Sequence, residues 1–193
     1  MEKIKWGIIG PGNIANNFAD GLTNSYSGQL VSIASKNEDR RKNFGDKYDI
    51  HSDFRFDCYE DIINSEHIDA IYISTPHNLH AEWTIKAAGK GKHVLCEKPG
   101  AVNLNEGKKI IEAVKEAGVF YMEGFMYRCH PQIPKLLEII KNKTIGEIES
   151  METSFGYDTG KTISESRIFN KELTGGAIPV SYTHLTLPTN REV

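Results

Sequence analysis

Cysteine is scarce in this sequence, and long apolar runs are missing from it. The 193 residues contain three cysteines, Cys58, Cys96 and Cys129, which are widely spaced and form no C-x-x-C pair. A disulfide framework and a zinc site are therefore not expected, and no residue is predicted to bind a metal. No apolar run approaches the ~20 residues of a membrane-spanning helix, so we expect no membrane partner.

A large excess of one charge is also absent. Lys and Arg total 23 against 26 Asp and Glu, and the formal net charge of −3 argues against nucleic acid as a partner. Charged residues make up 25% of the chain and hydrophobic residues 39%, as in soluble globular proteins. Residues 1–6 begin with charge and enter an apolar segment directly, without the layout of a signal peptide. Together with the few cysteines, this start predicts a cytoplasmic protein.

Short apolar segments alternate with helix-like periodicity through residues 1–122. The apolar segments predict buried strands at residues 4–10, 30–35, 68–74, 94–97 and 119–122. Helices are predicted between them, at residues 14–21, 38–48, 59–64, 79–90 and 104–117. Continuous apolar strands that alternate with helices indicate an α/β fold with a parallel sheet covered on both faces.

A glycine-rich turn joins the first predicted strand to the first predicted helix. Its sequence, GPGNIA, has the pattern G-x-G-x-x-A, in which Gly10 suits the tight turn and Gly12 lets a pyrophosphate approach the main chain. The small Ala15 lets the helix lie close to the strand, and the helix N-terminus favours phosphate charge. The pattern predicts a Rossmann doubly wound sheet that binds a dinucleotide at Gly10, Gly12, Asn13 and Ile14. A tight turn without a ligand and a methyltransferase turn are the alternatives.

The end of the second predicted strand bears on the type of dinucleotide. An acidic residue there would bind the ribose 2′-hydroxyl and favour NAD, but this strand ends in Ser35 and Lys36, with Arg40 and Arg41 just beyond. A hydroxyl and cations suit a 2′-phosphate, so we predict NADP over NAD. The nearby Glu38 and Asp39 keep NAD open, and a solvated helix start in which the cations contact nothing is the plainer alternative.

Glu97, Lys98 and Pro99 follow one another at the end of the fourth predicted strand, and ligands bind at the carboxyl ends of strands in open α/β sheets. When hydride leaves an alcohol, the hydroxyl proton needs an acceptor, and a lysine with a depressed pKa can serve. Pro99 would fix the turn and aim Lys98, a task that a cis peptide bond can perform. Alternatively, Lys98 is a surface lysine before a proline that ends a strand.

These motifs, in this order, resemble the Gfo/Idh/MocA oxidoreductases, the family of glucose–fructose oxidoreductase and inositol dehydrogenase. The resemblance rests on the glycine turn, on residues 74–80 (STPHNLH) and on residues 97–99 (EKP). Residues 123–132 (EGFMYRCHPQ) and 169–177 (FNKELTGGA) resemble the branch of dihydrodiol dehydrogenases and NADP-dependent xylose or glucose 1-dehydrogenases. The resemblance covers residues 3 to about 179.

The resemblance implies roles for particular residues. Lys98 would be the catalytic lysine, Glu97 would lie by the nicotinamide ribose, and both would contact the cofactor. Arg128 and Tyr127 would stand at the mouth of the sheet domain, near cofactor or substrate. The dinucleotide would be lined by Thr75, Pro76, Asn78 and His80. The plainer alternatives are that His80 only begins a helix, that Asn78 is only an N-cap and that Arg128 only forms a salt bridge.

The family's reaction is implied as well. It is hydride transfer between NADP, or NAD, and a hydroxyl of a small-molecule sugar, polyol or diol. In this family an antiparallel second-domain sheet shields the nicotinamide and forms the interface of a homo-oligomer. A non-catalytic dinucleotide-binding or sensor module of the same fold stays open as the alternative, because fold alone does not fix chemistry. A methyltransferase gains no support from the Glu-Lys-Pro motif.

The length of 193 residues exceeds one domain but does not allow a full-sized second one. We predict an NAD(P)-binding domain at residues 1–122 and a truncated α+β second domain at 123–179, with a helix at 131–143 and a strand at 145–157.

Val180 stands where the family has an aspartate, and residues 180–185 can be encoded by GTC TCT TAT ACA CAT CTC, which looks like a sequencing adapter. Residues 180–193 are therefore interpreted as a non-native tail on a truncated chain, and we expect cofactor binding with little or no turnover.

Overall fold

The computed structural model of the protein describes residues 2–152. The motif at residues 169–177 and the proposed tail at 180–193 lie outside the described residues, and so do the last five positions of the strand predicted at 145–157. None of the helices in the described part of the chain is long and apolar enough to cross a bilayer.

Six strands form a single sheet in which every pair of neighbours is parallel. The strands are β1 (Ile4–Ile9), β2 (Gly28–Ala34), β3 (Arg55–Phe56), β4 (Ala70–Ile73), β5 (His93–Cys96) and β6 (Tyr121–Glu123). They lie in the order β3-β2-β1-β4-β5-β6. The chain reverses its direction of travel across the sheet between β1 and β4, which defines the topological switch point of a Rossmann fold. The predicted α/β doubly wound parallel sheet is confirmed.

Six helices connect or follow these strands, and local sequence sets several of their ends. They are α1 (Asn13–Thr23), α2 (Glu38–Lys47), α3 (Tyr59–Asn64), α4 (His80–Gly89), α5 (Leu104–Ala117) and α6 (Gln132–Lys141). The Asn37 side chain accepts a hydrogen bond from the Arg40 backbone N–H and so begins α2. Asn103 caps α5 in the same way, and Gly118 ends that helix with a φ of 65°.

The central strands are largely apolar because helices cover both faces of the sheet. Successive side chains of a strand point to opposite faces, so a strand covered on both sides has no position for a solvated residue. Ile8 and Tyr72 are buried in one core cluster, whereas their neighbours Ile9 and Ile73 are buried in the other. This arrangement explains why continuous apolar runs, rather than alternating ones, predicted these strands correctly.

Two predictions about strands were incomplete or wrong. The two-residue strand β3 was not predicted, because two residues are too few to show a period. The strand predicted at 145–157 is wrong for residues 145–152, which form a turn and irregular chain. A strand needs a partner for its N–H and C=O groups, and these residues pair with no strand in the described part of the chain.

Candidate active site

The glycine turn after β1 is tightly fitted to the chain that follows β4. Gly10 has a φ of 92°, a region that side chains rarely adopt. A Cβ atom at Gly10 would lie 3.1 Å from the Ser74 carbonyl oxygen and 3.2 Å from the Thr75 nitrogen. Glycine is therefore required here for two reasons, the backbone angle and the close approach of the neighbouring chain.

The start of α1 is open. Gly12 is the N-cap residue, and no side chain of residues 2–152 caps this helix end. A Cβ atom at Gly12 would meet nothing within 4 Å, and both Gly12 and Asn13 are exposed. Ala15, by contrast, is completely buried. The first N–H groups of the helix therefore adjoin free space, which makes this end a suitable site for an anion.

Ser74 links the two turns that meet at the switch point. Its Oγ donates a hydrogen bond of 2.7 Å to the Gly10 carbonyl oxygen, and its backbone N–H donates one of 3.0 Å to the Ile9 carbonyl oxygen. The chain after β4 is thereby attached to the chain after β1. Anything bound at the start of α1 also lies beside the residues that follow β4.

A cavity of about 500 Å³ opens at the carboxyl ends of the strands. Phe18, Leu95, Met122 and Phe125 give it apolar walls. The structure brings six of the predicted site residues to its lining, namely Ile14, Thr75, Pro76, His80, Glu97 and Lys98. The remaining predicted residues lie outside the lining, namely Gly10, Gly12, Asn13, Ser35, Lys36, Arg40, Asn78 and Arg128.

Glu97 is held in the cavity by a tyrosine from the neighbouring strand. The Tyr72 hydroxyl donates a hydrogen bond of 2.6 Å to Glu97 Oε1. Burial, together with the nearby Glu97 carboxylate, raises the pKa of Tyr72 far above its ordinary value. The phenol therefore stays protonated and remains a donor. Tyr72 also stacks on Phe18, with ring centroids 4.1 Å apart, so its own position is fixed.

Lys98 follows Glu97 and is half-buried at the cavity wall. The Lys98–Pro99 peptide bond is cis, the form anticipated for a proline at this turn. Pro99 and Gly100 are both buried behind Lys98. A glutamate and a lysine side chain thus stand in adjacent positions on one wall of the cavity.

His80 lies beneath this turn and is completely buried. Its Nδ1 is 2.7 Å from the Pro99 carbonyl oxygen, and its Nε2 is 2.9 Å from the Thr75 carbonyl oxygen. Carbonyl oxygens only accept hydrogen bonds, so both contacts are hydrogen bonds when the ring carries a proton on each nitrogen. His80 is the first residue of α4, as the alternative that it only begins a helix required. Its ring nitrogens also contact the carbonyl oxygens of two other segments.

Asn78 and Arg128 are both exposed and lie outside the cavity lining. Asn78 is exposed and is not the N-cap of α4, because Leu79 holds that position, so the capping alternative is wrong. Arg128 is exposed in a 3-10 turn, Met126–Cys129. From that turn Met126 and Cys129, rather than Arg128, line the cavity.

The residues after β2 form a separate, polar part of the site. Ser35 is buried, and its Oγ accepts a hydrogen bond of 3.2 Å from the Asn37 N–H. Lys36 is exposed, with Nζ 5.8 Å from the centre of the Tyr59 ring, so it does not lack contacts as the plainer alternative held. Arg40 is exposed, while Arg41 donates a hydrogen bond of 2.7 Å to the Ser35 carbonyl oxygen. Cations therefore cluster where an adenine ribose would lie in a Rossmann fold.

The family of this chain follows from its sequence match. Residues 4–125, more than half of the chain, match the model of the Gfo/Idh/MocA oxidoreductases, an oxidoreductase family with an NAD-binding Rossmann fold. This chain belongs to the Gfo/Idh/MocA family. The membership inferred from the glycine turn and the Glu-Lys-Pro motif is confirmed.

Relatives of this Gfo/Idh/MocA protein include members of the predicted branch. The trans-1,2-dihydrobenzene-1,2-diol dehydrogenase of Xenopus tropicalis is 31% identical over 176 residues, which cover 90% of this chain and 52% of the relative. The D-xylose 1-dehydrogenase (NADP(+)) 2 of Haloferax volcanii is 31% identical over 173 residues, again 90% of this chain and 52% of the relative. The chain thus spans about half the length of the curated relatives it matches.

Solved structures of the family share this fold. The crystal structure of a 3-ketoreductase from Actinomadura kijaniata in complex with NADP superimposes with a TM-score of 0.69 and 31% sequence identity. The superposition covers 76% of this chain and 46% of that protein. The resemblance therefore extends to the sheet and helices that surround the cavity.

Two features of the site fit the dinucleotide that the Gfo/Idh/MocA fold binds. The first is the open, uncapped start of α1 behind Gly12, which suits a diphosphate. The second is Thr75, which is 3% exposed and lines the cavity, and whose Oγ1 has no hydrogen-bond partner within residues 2–152. A buried hydroxyl without a partner is unfavourable, and a polar ligand in the cavity would supply one. The described residues contain no group of three His, Cys, Asp or Glu side chains that could hold a metal ion.

Sequence reasoning assigned no role to two residues that organise this site, Tyr72 and Glu123. Tyr72 is the one polar side chain in the buried strand β4, and such a position indicates a hidden hydrogen-bond partner. Glu123 ends β6 and accepts a hydrogen bond of 2.6 Å from the Gly100 backbone N–H. Of these two, only Tyr72 carried a signal in the sequence, because the role of Glu123 depends on which segments meet in space.

Proposed function

We propose that this Gfo/Idh/MocA protein binds NADP(H) and that its full-length form is an NADP-dependent oxidoreductase. Its substrate would be a small sugar, polyol or diol, whose hydroxyl-bearing carbon it interconverts with a carbonyl. One observation carries the proposal: Glu97, Lys98 and Thr75, whose buried hydroxyl has no hydrogen-bond partner within residues 2–152, all line a single cavity. That cavity lies at the switch point, beside the open start of α1. When bound, the nicotinamide cofactor supplies the group that accepts or returns hydride.

The binding roles follow from the surroundings of each residue. The N–H groups at the start of α1 would hold the diphosphate, with Gly10 shaping the turn and Gly12 leaving the approach open. Thr75 would donate its hydroxyl to the part of the dinucleotide that enters the cavity. Asn13, Ile14, Pro76 and Asn78 would border this path.

Selectivity for the 2′-phosphate is proposed to come from the residues after β2. Lys36 and Arg40 are exposed cations with no acidic partner in the described part of the chain, so both can turn to a phosphate. Ser35 would add its hydroxyl. Arg41 would keep the loop in place through its hydrogen bond to the Ser35 carbonyl oxygen.

The proton chemistry is assigned to Lys98. Its Nζ would accept the proton from the substrate hydroxyl during oxidation and return it during reduction. Glu97, which Tyr72 fixes by a hydrogen bond, places a carboxylate beside that amine. The apolar walls of the cavity would exclude water from the reacting atoms.

The substrate class is supported by what the relatives are called. A dehydrogenase for a dihydrodiol, a dehydrogenase for D-xylose and a 3-ketoreductase all interconvert an alcohol and a carbonyl. Because the chain spans about half the length of these relatives, turnover is assigned to the full-length protein and not to these 193 residues. A non-catalytic dinucleotide-binding module is the second candidate for the 193-residue chain as it stands, which has Val180 in place of the family's aspartate.

The domain division and the oligomeric state of the intact protein are part of the proposal as well. Residues 1–122 would form the cofactor domain, and residues 123–179 would begin a second domain that completes the substrate pocket. A homo-oligomer would form through that second domain in the intact protein, and sedimentation of the full-length protein measures it.

Calorimetric titration of the purified chain with NADPH, NADH and S-adenosylmethionine tests the binding proposal. We expect NADPH to bind more tightly than NADH and S-adenosylmethionine not to bind. Binding of S-adenosylmethionine alone, or of no nucleotide, would contradict the proposal. A full-length version, extended from the source DNA, should then reduce NADP with xylose, glucose, an inositol or a dihydrodiol. Nucleotide binding without turnover on these alcohols would favour the non-catalytic candidate.

A further inference from the structure

One peptide group in the turn that carries Lys98 is held at both of its polar atoms by side chains from other segments. This is the group that joins Pro99 to Gly100. Its carbonyl oxygen lies 2.7 Å from His80 Nδ1, which can only be the donor in this contact. Its N–H donates a hydrogen bond of 2.6 Å to Glu123 Oε1. The turn after β5 is thus fixed between the start of α4 and the end of β6.

The fit around Gly100 is close as well as polar. Gly100 is buried, and a Cβ atom there would run into the Tyr121 hydroxyl and would lie 3.0 Å from Glu123 Cγ. The backbone therefore rests directly on the end of β6. A hydrogen bond to a carboxylate in such a half-buried place is about twice as strong as one between neutral groups.

Glu123 does not itself belong to the cavity wall. Its neighbours Met122 and Gly124 both line the cavity, whereas Glu123 does not. Its carboxylate points instead to the backbone behind Lys98. A carboxylate so placed can influence the cavity through the turn that it holds, without touching what the cavity binds.

We propose that Glu123 is a positioning residue: together with His80 it fixes the Pro99–Gly100 peptide group and so sets where Lys98 lies along the cavity wall. This inference rests on the proposed function, because it gives Glu123 a role toward the dinucleotide that Lys98 would adjoin. Without the hydrogen bond from Gly100, the turn would gain freedom and Lys98 would no longer be held against the bound dinucleotide.

The test measures how strongly NADPH protects Lys98 from acylation in the 193-residue chain itself. An N-hydroxysuccinimide acetate labels lysines in trace amounts with and without saturating NADPH, and mass spectrometry quantifies the peptide that contains Lys98. Lys109, which is exposed on α5, serves as the internal reference in the same sample. Turnover is not needed, so the outcome does not depend on whether the chain is active.

We expect NADPH to protect Lys98 in the wild-type chain and Glu123→Ala to lower that protection about tenfold, the effect of losing a hydrogen bond to a charged group. Glu123→Gln keeps an oxygen acceptor without the charge and should give an intermediate protection. Glu116→Ala, at an exposed position on α5, is the matched control and should equal the wild type. The thermal transition of each variant identifies any that fails to fold.

Each outcome decides one question. Wild-type protection in both folded Glu123 variants would overturn the positioning role and leave the proposed function standing. If Glu123→Ala does not fold, Glu123→Gln decides alone, and wild-type protection in it overturns the role. No protection of Lys98 by NADPH in the wild-type chain would overturn the proposed placement of the cofactor, and the role of Glu123 with it. A graded loss of Lys98 protection from wild type through Glu123→Gln to Glu123→Ala, with the labelling of Lys109 unchanged, supports the positioning role of Glu123.

Discussion

The hydroxyl of Tyr72 donates to the carboxylate of Glu97 across two neighbouring strands, over a distance of 2.6 Å. Tyr72 comes from β4 and Glu97 from the end of β5, so the contact exists only because these strands are adjacent in the sheet. It gives the cavity a carboxylate with a fixed position and a donor that stays protonated at any physiological pH.

Replacing Tyr72 by Phe should remove this donor while keeping the ring that stacks on Phe18. The free energy of unfolding is expected to fall by about 1.5 kcal/mol, the lower end for a hydrogen bond to a charged group. Urea denaturation measures it. Tyr26→Phe is the matched control, because Tyr26 is 98% exposed and should tolerate the change. Equal stabilities of the two variants would show that the contact does not stabilise the fold.

Stability should also fall at alkaline pH. Burial raises the pKa of Cys96, Tyr72 and Tyr121 above their ordinary values. A group with a raised pKa in the folded state contributes full stability below its unfolded pKa and loses it as the pH rises toward its folded value. The loss should begin above about pH 8.5 for Cys96 and above about pH 10 for the tyrosines, at about 1.4 kcal/mol per pH unit and group.

Urea denaturation at a series of pH values between 8 and about 11 checks this expectation. Tyr72→Phe should make the decline shallower only above about pH 10, and Cys96→Ala should do so from about pH 8.5. A decline that is identical in the wild type and both variants would mean that other groups cause it.

Replacing either of two glycines in the same turn by alanine should affect a different property, stability for Gly10 and NADPH binding for Gly12. Gly10→Ala forces a side chain into a φ of 92° and against the Ser74 carbonyl oxygen, so unfolding should become easier by about 2 kcal/mol. Gly12→Ala meets nothing within 4 Å and should change stability by less than about 0.5 kcal/mol. Its methyl group should nevertheless weaken NADPH binding about tenfold or more by blocking the diphosphate.

Unfolding and NADPH titrations of both glycine variants separate fold from binding. Gly107→Ala on α5, where the nearest atom outside the backbone of that helix turn is 3.9 Å from a new Cβ, is the control for NADPH binding. Unchanged NADPH affinity in Gly12→Ala would argue against a diphosphate at the start of α1.

The cations after β2 should decide between NADPH and NADH. Lys36→Ala and Arg40→Ala are each expected to weaken NADPH about tenfold, the loss of one charged contact to a phosphate, and to leave NADH unchanged. Calorimetric titration with both dinucleotides measures the ratio of the NADPH and NADH affinities. Lys90→Ala, at the exposed C-terminal end of α4, carries the same charge change away from the site and should not alter it. A parallel loss of both affinities would place these cations elsewhere than at the 2′-phosphate.

Lys98→Ala should separate binding from chemistry. In the 193-residue chain we expect NADPH affinity to stay within about twofold, because Lys98 is assigned to proton transfer rather than to holding the dinucleotide. In the full-length protein turnover should fall about a hundredfold or more, the usual contribution of a general base. Unchanged turnover there would remove Lys98 from its role.

Much of the fold could be predicted from sequence because burial on both faces leaves a simple signal. The buried positions of β1 are Gly7, Ile8 and Ile9, β4 is apolar apart from Tyr72, and α5 has an asparagine cap at one end and Gly118 at the other. β3 could not be predicted, since two residues have no period. The strand expected at 145–157 failed over 145–152 because alternation indicates a possible face but does not provide the neighbouring strand.

The site was predictable where a motif lies directly on a strand end. Glu97 and Lys98 reach the cavity because they follow β5, and Thr75 and Pro76 because they follow β4. Tyr72 and Glu123 could not be assigned, because their partners lie on other strands and the order of strands is not written in the local sequence. The roles of Lys98, Arg128 and the cofactor-binding residues stay predictions until the titrations are made.

The link between Ser74 and the glycine turn bears on how such sheets can be recombined. Within residues 2–152, Ser74 donates its hydrogen bonds to main-chain carbonyl oxygens, those of Ile9 and Gly10. Every amino acid offers that acceptor, so this link does not depend on which side chain stands at position 9, whereas the packing of Phe18 on Tyr72 does depend on side chains. A chimera that joins β1–β3 of this chain to β4–β6 of a relative should keep this link as long as serine and glycine stand on its two sides.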